Sequence, residues 1–141
     1  MWTSCLVDTG ALLALMDRGD RWHSRCSAAF ETLRLPLLTS EAVLTELFHL
    51  LAPRQREIRQ AWRYLRSVVR VLPVGDEDLP ELQALMEQYQ DRPMGFADAT
   101  LVRLARRESL STMFTIDHDD FETYRIEGRR RFRIVPARSR V

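Results

Sequence analysis

The sequence predicts one α/β domain over residues 1–141, built on a mainly parallel central sheet flanked by helices on both faces. Three observations predict it. Short apolar runs alternate with amphipathic stretches from one end of the chain to the other. The first run, Cys5-Leu6-Val7, is apolar throughout and stops at Asp8-Thr9-Gly10, as a buried central strand does when it delivers a side chain to its carboxyl edge. A length of 141 residues with 45% apolar composition fits a single core, and no repeat, low-complexity tract or linker divides it.

Each element follows in order. After Asp8, Gly10 to Met16 reads as a short helix broken by Asp17-Arg18-Gly19-Asp20, with Asp20 placed to cap the next helix. That helix carries Trp22, Cys26, Ala29, Phe30 and Leu33 on one face, with His23 at its start as a surface or capping residue. Leu35-Pro36-Leu37-Leu38 is the second strand, and Ser40 caps a helix whose apolar face is Val43, Leu44, Leu47, Leu50 and Leu51. Glu46 borders that face, which is unusual for a carboxylate without a partner, and His49 points to solvent. Ile58, Ala61, Trp62, Leu65 and Val69 form a further helix amid Arg54, Arg56, Arg59, Arg63 and Arg66. Val69 to Leu72 is the third strand, Leu79 to Tyr89 a helix, and Arg92-Pro93-Met94-Gly95 a loop. Phe96-Ala97-Asp98 opens another helix, where the dipole favours a carboxylate. Ser111 to Ile116 is the fourth strand and ends in Asp117, and Arg131 to Val135 alternates with period two as an edge strand.

Charge excludes several chemistries. Net charge is +1, yet all 21 basic residues are arginine. Without lysine there is no P-loop and no Schiff base, and a phosphoacceptor receiver domain loses the lysine it relies on. No His/Cys set has zinc spacing, and Cys5 and Cys26 sit in apolar patterns as reduced core residues of a cytoplasmic protein. No apolar run approaches the ~20 residues of a membrane span, and no basic-then-apolar leader opens the chain. Arginines crowd the C-terminus at Arg129, Arg130, Arg131, Arg133, Arg138 and Arg140.

The acids can be weighed together. Strand ends and the first turns of following helices share one edge of a parallel sheet, so Asp8, Glu46, Asp98 and Asp117 can converge there. Gathered carboxylates repel and are partly protonated unless a cation joins them, and hard oxygen ligands suit Mg²⁺, with Mn²⁺ as a substitute. Such a site can hold a phosphodiester oxygen and activate water.

Taken as a set, Val7-Asp8-Thr9, Thr39-Ser40-Glu41 through Glu46, Ala97-Asp98-Ala99, and Thr115-Ile116-Asp117 with Asp120-Phe121 resemble the motifs of PIN-domain ribonucleases, specifically the VapC toxins of bacterial toxin–antitoxin pairs. The resemblance implies a three-layer sandwich and an acidic quartet of Asp8, Glu46, Asp98 and Asp117, with Asp8 and Asp98 the principal Mg²⁺ ligands. Thr9 and Thr115 would orient the carboxylates. It implies endonucleolytic cleavage of RNA, often transfer or ribosomal RNA, leaving a 5′-phosphate and a 3′-hydroxyl. It also implies a cognate antitoxin that blocks the site, and a homodimer. Related sequences often carry one more acid where this chain has Gly95. Arg129, Arg130 and Arg131, and the arginines from Arg54 to Arg66, are the candidates for RNA contact. The competing functions are a catalytically inactive PIN scaffold that binds RNA or protein, and a PIN nuclease of RNA processing.

Overall fold

The computed structural model describes residues 3–138, and Arg140 lies outside them. Five parallel strands, β1 (Thr3–Val7), β2 (Leu33–Thr39), β3 (Val69–Val71), β4 (Thr112–Phe114) and β5 (Arg133–Val135), lie in the order β3-β2-β1-β4-β5. Among the described residues seven helices flank them: α1 (Thr9–Met16), α2 (His23–Phe30), α3 (Glu41–Leu51), α4 (Gln55–Ser67), α5 (Leu79–Gln88), α6 (Phe96–Arg107) and α7 (His118–Thr123). A 3-10 turn, Asp76–Asp78, precedes α5.

Topology places the functional edge. The chain steps outward from β1 to β2 to β3, then crosses back so that β4 and β5 lie on the other side of β1. Strand order therefore reverses between β1 and β4, and a crevice opens beyond their carboxyl ends. The pairing of Val7 with Phe114 puts Asp8 and Thr115 side by side, one step past the last paired residues. Burial agrees with the central positions. Cys5, Leu6 and Val7 of β1 and Met113 and Phe114 of β4 are fully buried, because helices cover both faces of a parallel sheet. Gly10 lets α1 start close to the β4 side: a β-carbon there would come within 2.9 Å of Ile116 Cγ1.

Several expectations are corrected. Leu33 belongs to β2 and pairs with Thr3; α2 stops at Phe30, where Thr32 Oγ1 donates to the Ala29 carbonyl at 2.7 Å. Asp20 does not cap α2. Its carboxylate accepts from the Trp22 N–H at 2.8 Å, one residue before the helix, because the chain turns there before coiling. Leu50 is 51% exposed and Trp62 52% exposed, so the apolar faces of α3 and α4 are narrower than their spacing suggests. The fourth strand is only Thr112–Phe114, and Asp117 stands three residues beyond it as the N-cap of α7. Arg131 forms an isolated antiparallel bridge with Arg125, so β5 begins at Arg133.

Candidate active site

Four acids and two threonines meet at the reversal of strand order. Asp8 is 7% exposed and caps α1. Its Oδ1 accepts from the Thr9 N–H at 2.8 Å, and its Oδ2 from the Thr115 hydroxyl at 3.1 Å. The same Thr115 hydroxyl accepts the Asp117 N–H at 2.9 Å, so one side chain ties the ends of β1 and β4 together. Thr9 Oγ1 donates to Glu46 Oε1 at 2.8 Å, drawing α3 to the start of α1. Glu46 is exposed at this wall and does not border the core, because Val43 and Leu47 alone supply the buried side of that turn.

Asp98 lies in the first turn of α6, where its Oδ2 accepts from the Tyr124 hydroxyl at 3.0 Å. Asp117 Oδ1 accepts from the Asp120 N–H at 3.3 Å. Asp98, Asp117 and Asp120 each offer a carboxylate oxygen within 4.8 Å of the others. Opposite oxygens of an octahedral Mg²⁺ stand about 4 Å apart, so small side-chain adjustments suffice for the trio to share a cation. Asp8, Thr9, Gly10, Glu46, His49, Leu50, Gly95, Asp98 and Asp117 line one cleft of ≈ 400 Å³.

Burial and crowding raise the proton affinity of Asp8, Asp98 and Asp117. Burial pushes the Asp98 carboxyl up to about 8, and the charges of Asp8, Asp120 and Asp117 add to it against the Tyr124 hydrogen bond. Burial likewise raises Asp8 to about 6, opposed by the Thr9 N–H and the Thr115 hydroxyl and reinforced by Glu46 and Asp117. Asp117 rises to about 6 through burial and then through its hydrogen bond with Asp120 and the Asp120 charge. The Tyr124 hydroxyl is pushed up as well, by burial and then by Asp98. Crowded acids with raised proton affinity are a charge distribution that a hard divalent cation would offset. The donor set, all oxygen and mostly carboxylate, fits Mg²⁺ or Mn²⁺ and does not fit zinc.

Asp120 completes this set and was legible only as part of a motif. The available signal was helical spacing. Across α7 and its two caps, Asp117, Asp120 and Tyr124 recur at i, i+3 and i+7, while the acids and histidine between them turn elsewhere. His118 is buried against the Pro136 and Ile116 carbonyls, and Asp119 pairs with Arg138. His49, expected at the surface, is exposed and lines the cleft. Arg92, expected only as a loop residue, pairs with Asp120 through Nε at 2.9 Å.

The run Arg129-Arg130-Arg131 is not brought to the cleft. It forms the exposed turn leading into β5, whose first residue Arg133 pairs with Thr112 at the start of β4. In a parallel pair that is the amino edge of the sheet, opposite the carboxylates. In the other group, Arg54 is tied to Asp17 and Glu57.

A PIN domain model matches residues 5–127. Over 134 residues the chain is 29% identical to ribonuclease VapC26 of Mycobacterium tuberculosis, covering 93% of this chain and 99% of that protein. The crystal structure of Mycobacterium tuberculosis VapC20, a Sarcin-Ricin loop cleaving toxin, superposes with a TM-score of 0.73 at 25% identity, over 82% of this chain and 92% of that one. A toxin–antitoxin complex from Klebsiella pneumoniae shares the fold, with a TM-score of 0.66 at 19% identity over 85% and 92% of the two chains. With its five-stranded parallel sheet and a family match spanning most of its length, the chain belongs to the PIN domain family, and its likeness is to the VapC toxins.

Proposed function

We propose that this protein is a metal-dependent endoribonuclease, the toxin of a toxin–antitoxin pair, acting as a single domain over residues 1–141. The observation that carries the proposal is the cluster of Asp8, Glu46, Asp98 and Asp117, joined by Asp120, at the reversal of strand order, with raised carboxyl pKa values at Asp8, Asp98 and Asp117. The ribonuclease and toxin names of the similar VapC proteins support the same activity.

Asp8 and Asp98 are the principal ligands in this proposal, with Asp117, Asp120 and Glu46 completing the set. When bound, Mg²⁺ polarises the phosphodiester and makes water a competent nucleophile. The protein's own groups set the geometry. Thr9 N–H and the Thr115 hydroxyl fix both oxygens of Asp8, and Tyr124 fixes one oxygen of Asp98. Thr9 also holds Glu46 by Oε1, leaving Oε2 available to the cation site. The products are a 5′-phosphate and a 3′-hydroxyl. The substrate is a structured RNA, transfer or ribosomal. The antitoxin covers the acidic cleft, and the protein works as a cytoplasmic homodimer; no helix among the described residues is long and apolar enough to cross a membrane.

The test is cleavage of a pool of transfer and ribosomal RNA, with 5′-end mapping, in Mg²⁺, in EDTA and with Asp8→Asn. Cutting that needs Mg²⁺ and falls by about a hundredfold or more in Asp8→Asn is the expected result. A folded protein that binds RNA, takes up no Mn²⁺ and never cuts would make it a scaffold.

A further inference from the structure

A cleft built from carboxylates must still receive a polyanion. Among the described residues, one cationic side chain hydrogen-bonds to the trio of Asp98, Asp117 and Asp120, and it is Arg92. Its backbone is pinned on both sides. The Arg92 N–H donates to the Tyr89 carbonyl at 3.1 Å, and Met94 two residues on is buried. Tyr89 packs edge-on against Tyr124, the residue that orients Asp98, with ring centroids 5.0 Å apart. The loop is thus registered to the site while the arginine side chain is 49% exposed.

The hold on Asp120 is a single short contact. Nε meets Oδ1 at 2.9 Å, and Nη1 makes only a long 3.5 Å contact to Thr123. No bidentate fork forms, so most of the guanidinium's donors stay available. An exposed, one-point ion pair is weak and readily exchanged. A divalent cation shared by the trio competes for the same Asp120 carboxylate. A guanidinium released from Asp120 would lie beside the acidic trio, on a loop whose backbone is held at Tyr89 and Met94.

We propose that Arg92 is the substrate-phosphate contact of this cleft, resting on Asp120 in the metal-free protein and passing to the RNA phosphate when a divalent cation takes that carboxylate. The proposal rests on the nuclease assignment above, and two measurements separate them. Mn²⁺ uptake is followed by the electron paramagnetic resonance of free Mn²⁺. Binding of a short labelled single-stranded RNA is followed by anisotropy across a NaCl series in Ca²⁺. Wild type, Arg92→Gln and Arg92→Lys are compared, with thermal melts to establish that each is folded.

Arg92→Gln should bind Mn²⁺ about two- to fivefold more tightly, because a competing cation is gone. It should bind RNA about tenfold more weakly, the loss of one charge-assisted hydrogen bond. The slope of log affinity against log salt should shrink by about 0.7, and Arg92→Lys should restore it. Weaker Mn²⁺ binding in Arg92→Gln would overturn the proposal, since Arg92 would then be holding Asp120 in place as a ligand. An unchanged salt slope would overturn it equally. If the wild type takes up no Mn²⁺, the nuclease assignment falls as well, whereas uptake with equal affinity in wild type and Arg92→Gln overturns the Arg92 role alone.

Discussion

The two ends of α6 handle a half-buried and a buried acid in opposite ways. Its first turn presents Asp98 to the cleft, where neighbouring carboxylates raise the proton affinity already increased by burial. Its last turns present Arg103, Arg106 and Arg107 to the 3-10 turn and the start of α5. There Asp78 is 0% exposed and accepts from the Gly75 N–H at 2.9 Å, Arg103 Nε at 2.7 Å and Arg107 Nη1 at 3.1 Å. Glu81 closes the network with Arg103 and Arg106. The Gly75 N–H first, with the two arginines, holds the Asp78 carboxyl below the usual range. One helix therefore carries a satisfied acid network and an unsatisfied one, roughly 7 to 14 Å apart along its length. Burial of an acid is thus a poor marker of function. The absence of a compensating cation is the informative property.

The strongest way to break this contrast is to neutralise one acid at each end. Asp98→Asn should lower RNA cleavage by about a hundredfold or more, and should raise the melting temperature of the metal-free protein by relieving repulsion. Asp78→Asn should do the reverse. It leaves two arginines facing a neutral group in a buried position and should cost about 3 kcal/mol in chemical denaturation. Its cleavage rate per folded molecule should match the wild type. Equal destabilisation by both variants would remove the distinction.

Proton linkage sharpens the contrast next. The cleft acids have folded-state pKa values near 6 for Asp8 and Asp117 and about 8 for Asp98, against about 4 in the unfolded chain. The folded protein therefore binds more protons, and metal-free stability should fall as pH rises from about 4 through about 8. Mg²⁺ should restore what is lost at the upper end. Asp78 works with the opposite sign: its lowered pKa stabilises above about pH 4, and that contribution disappears as pH falls through the depressed value. Melting curves in EDTA and in Mg²⁺, from about pH 2 to pH 9, check both limbs, and an EDTA series that is flat from about pH 4 to about pH 8 would contradict the cleft assignment.

The smallest effect concerns Gly95. It is the N-cap of α6, it lines the cleft, and a β-carbon there would meet nothing within 4 Å. Gly95→Asp should be accommodated without strain and cap the helix for a few tenths of a kcal/mol. It should also strengthen Mn²⁺ binding about threefold, the scale of one screened charge. Isothermal titration of wild type and variant would measure it.

Much of this site was legible in the sequence because local signals happen to coincide with the edge that matters. An apolar run that stops at Asp8, a small-residue helix start at Asp98 and a strand followed by Asp117 all report chain direction, and direction fixes the carboxyl edge. What escaped depends on register and rotation. Asp120 needed the pitch of a six-residue helix that no apolar stripe announces. That Arg129 to Arg131 lie at the amino edge, away from the carboxylates, follows only from the pairing of Arg133 with Thr112. Arg92 lies in a loop whose contacts come from residues about 30 positions later, beyond any local pattern.

The Thr115 hydroxyl has a consequence of its own. It owns a single proton and already accepts the Asp117 N–H, so that proton goes to Asp8 Oδ2. Asp8 Oδ1 is likewise met by the Thr9 N–H. Each oxygen of Asp8 thus has one lone pair spoken for by the fold, and the lone pairs that remain are the ones left for the cleft. A proton and a divalent cation compete for those same positions, which makes the site an ion exchanger: each cation that enters should release protons to solvent. An unbuffered solution of the protein near neutral pH should therefore acidify when Mg²⁺ is added, with no RNA present at all.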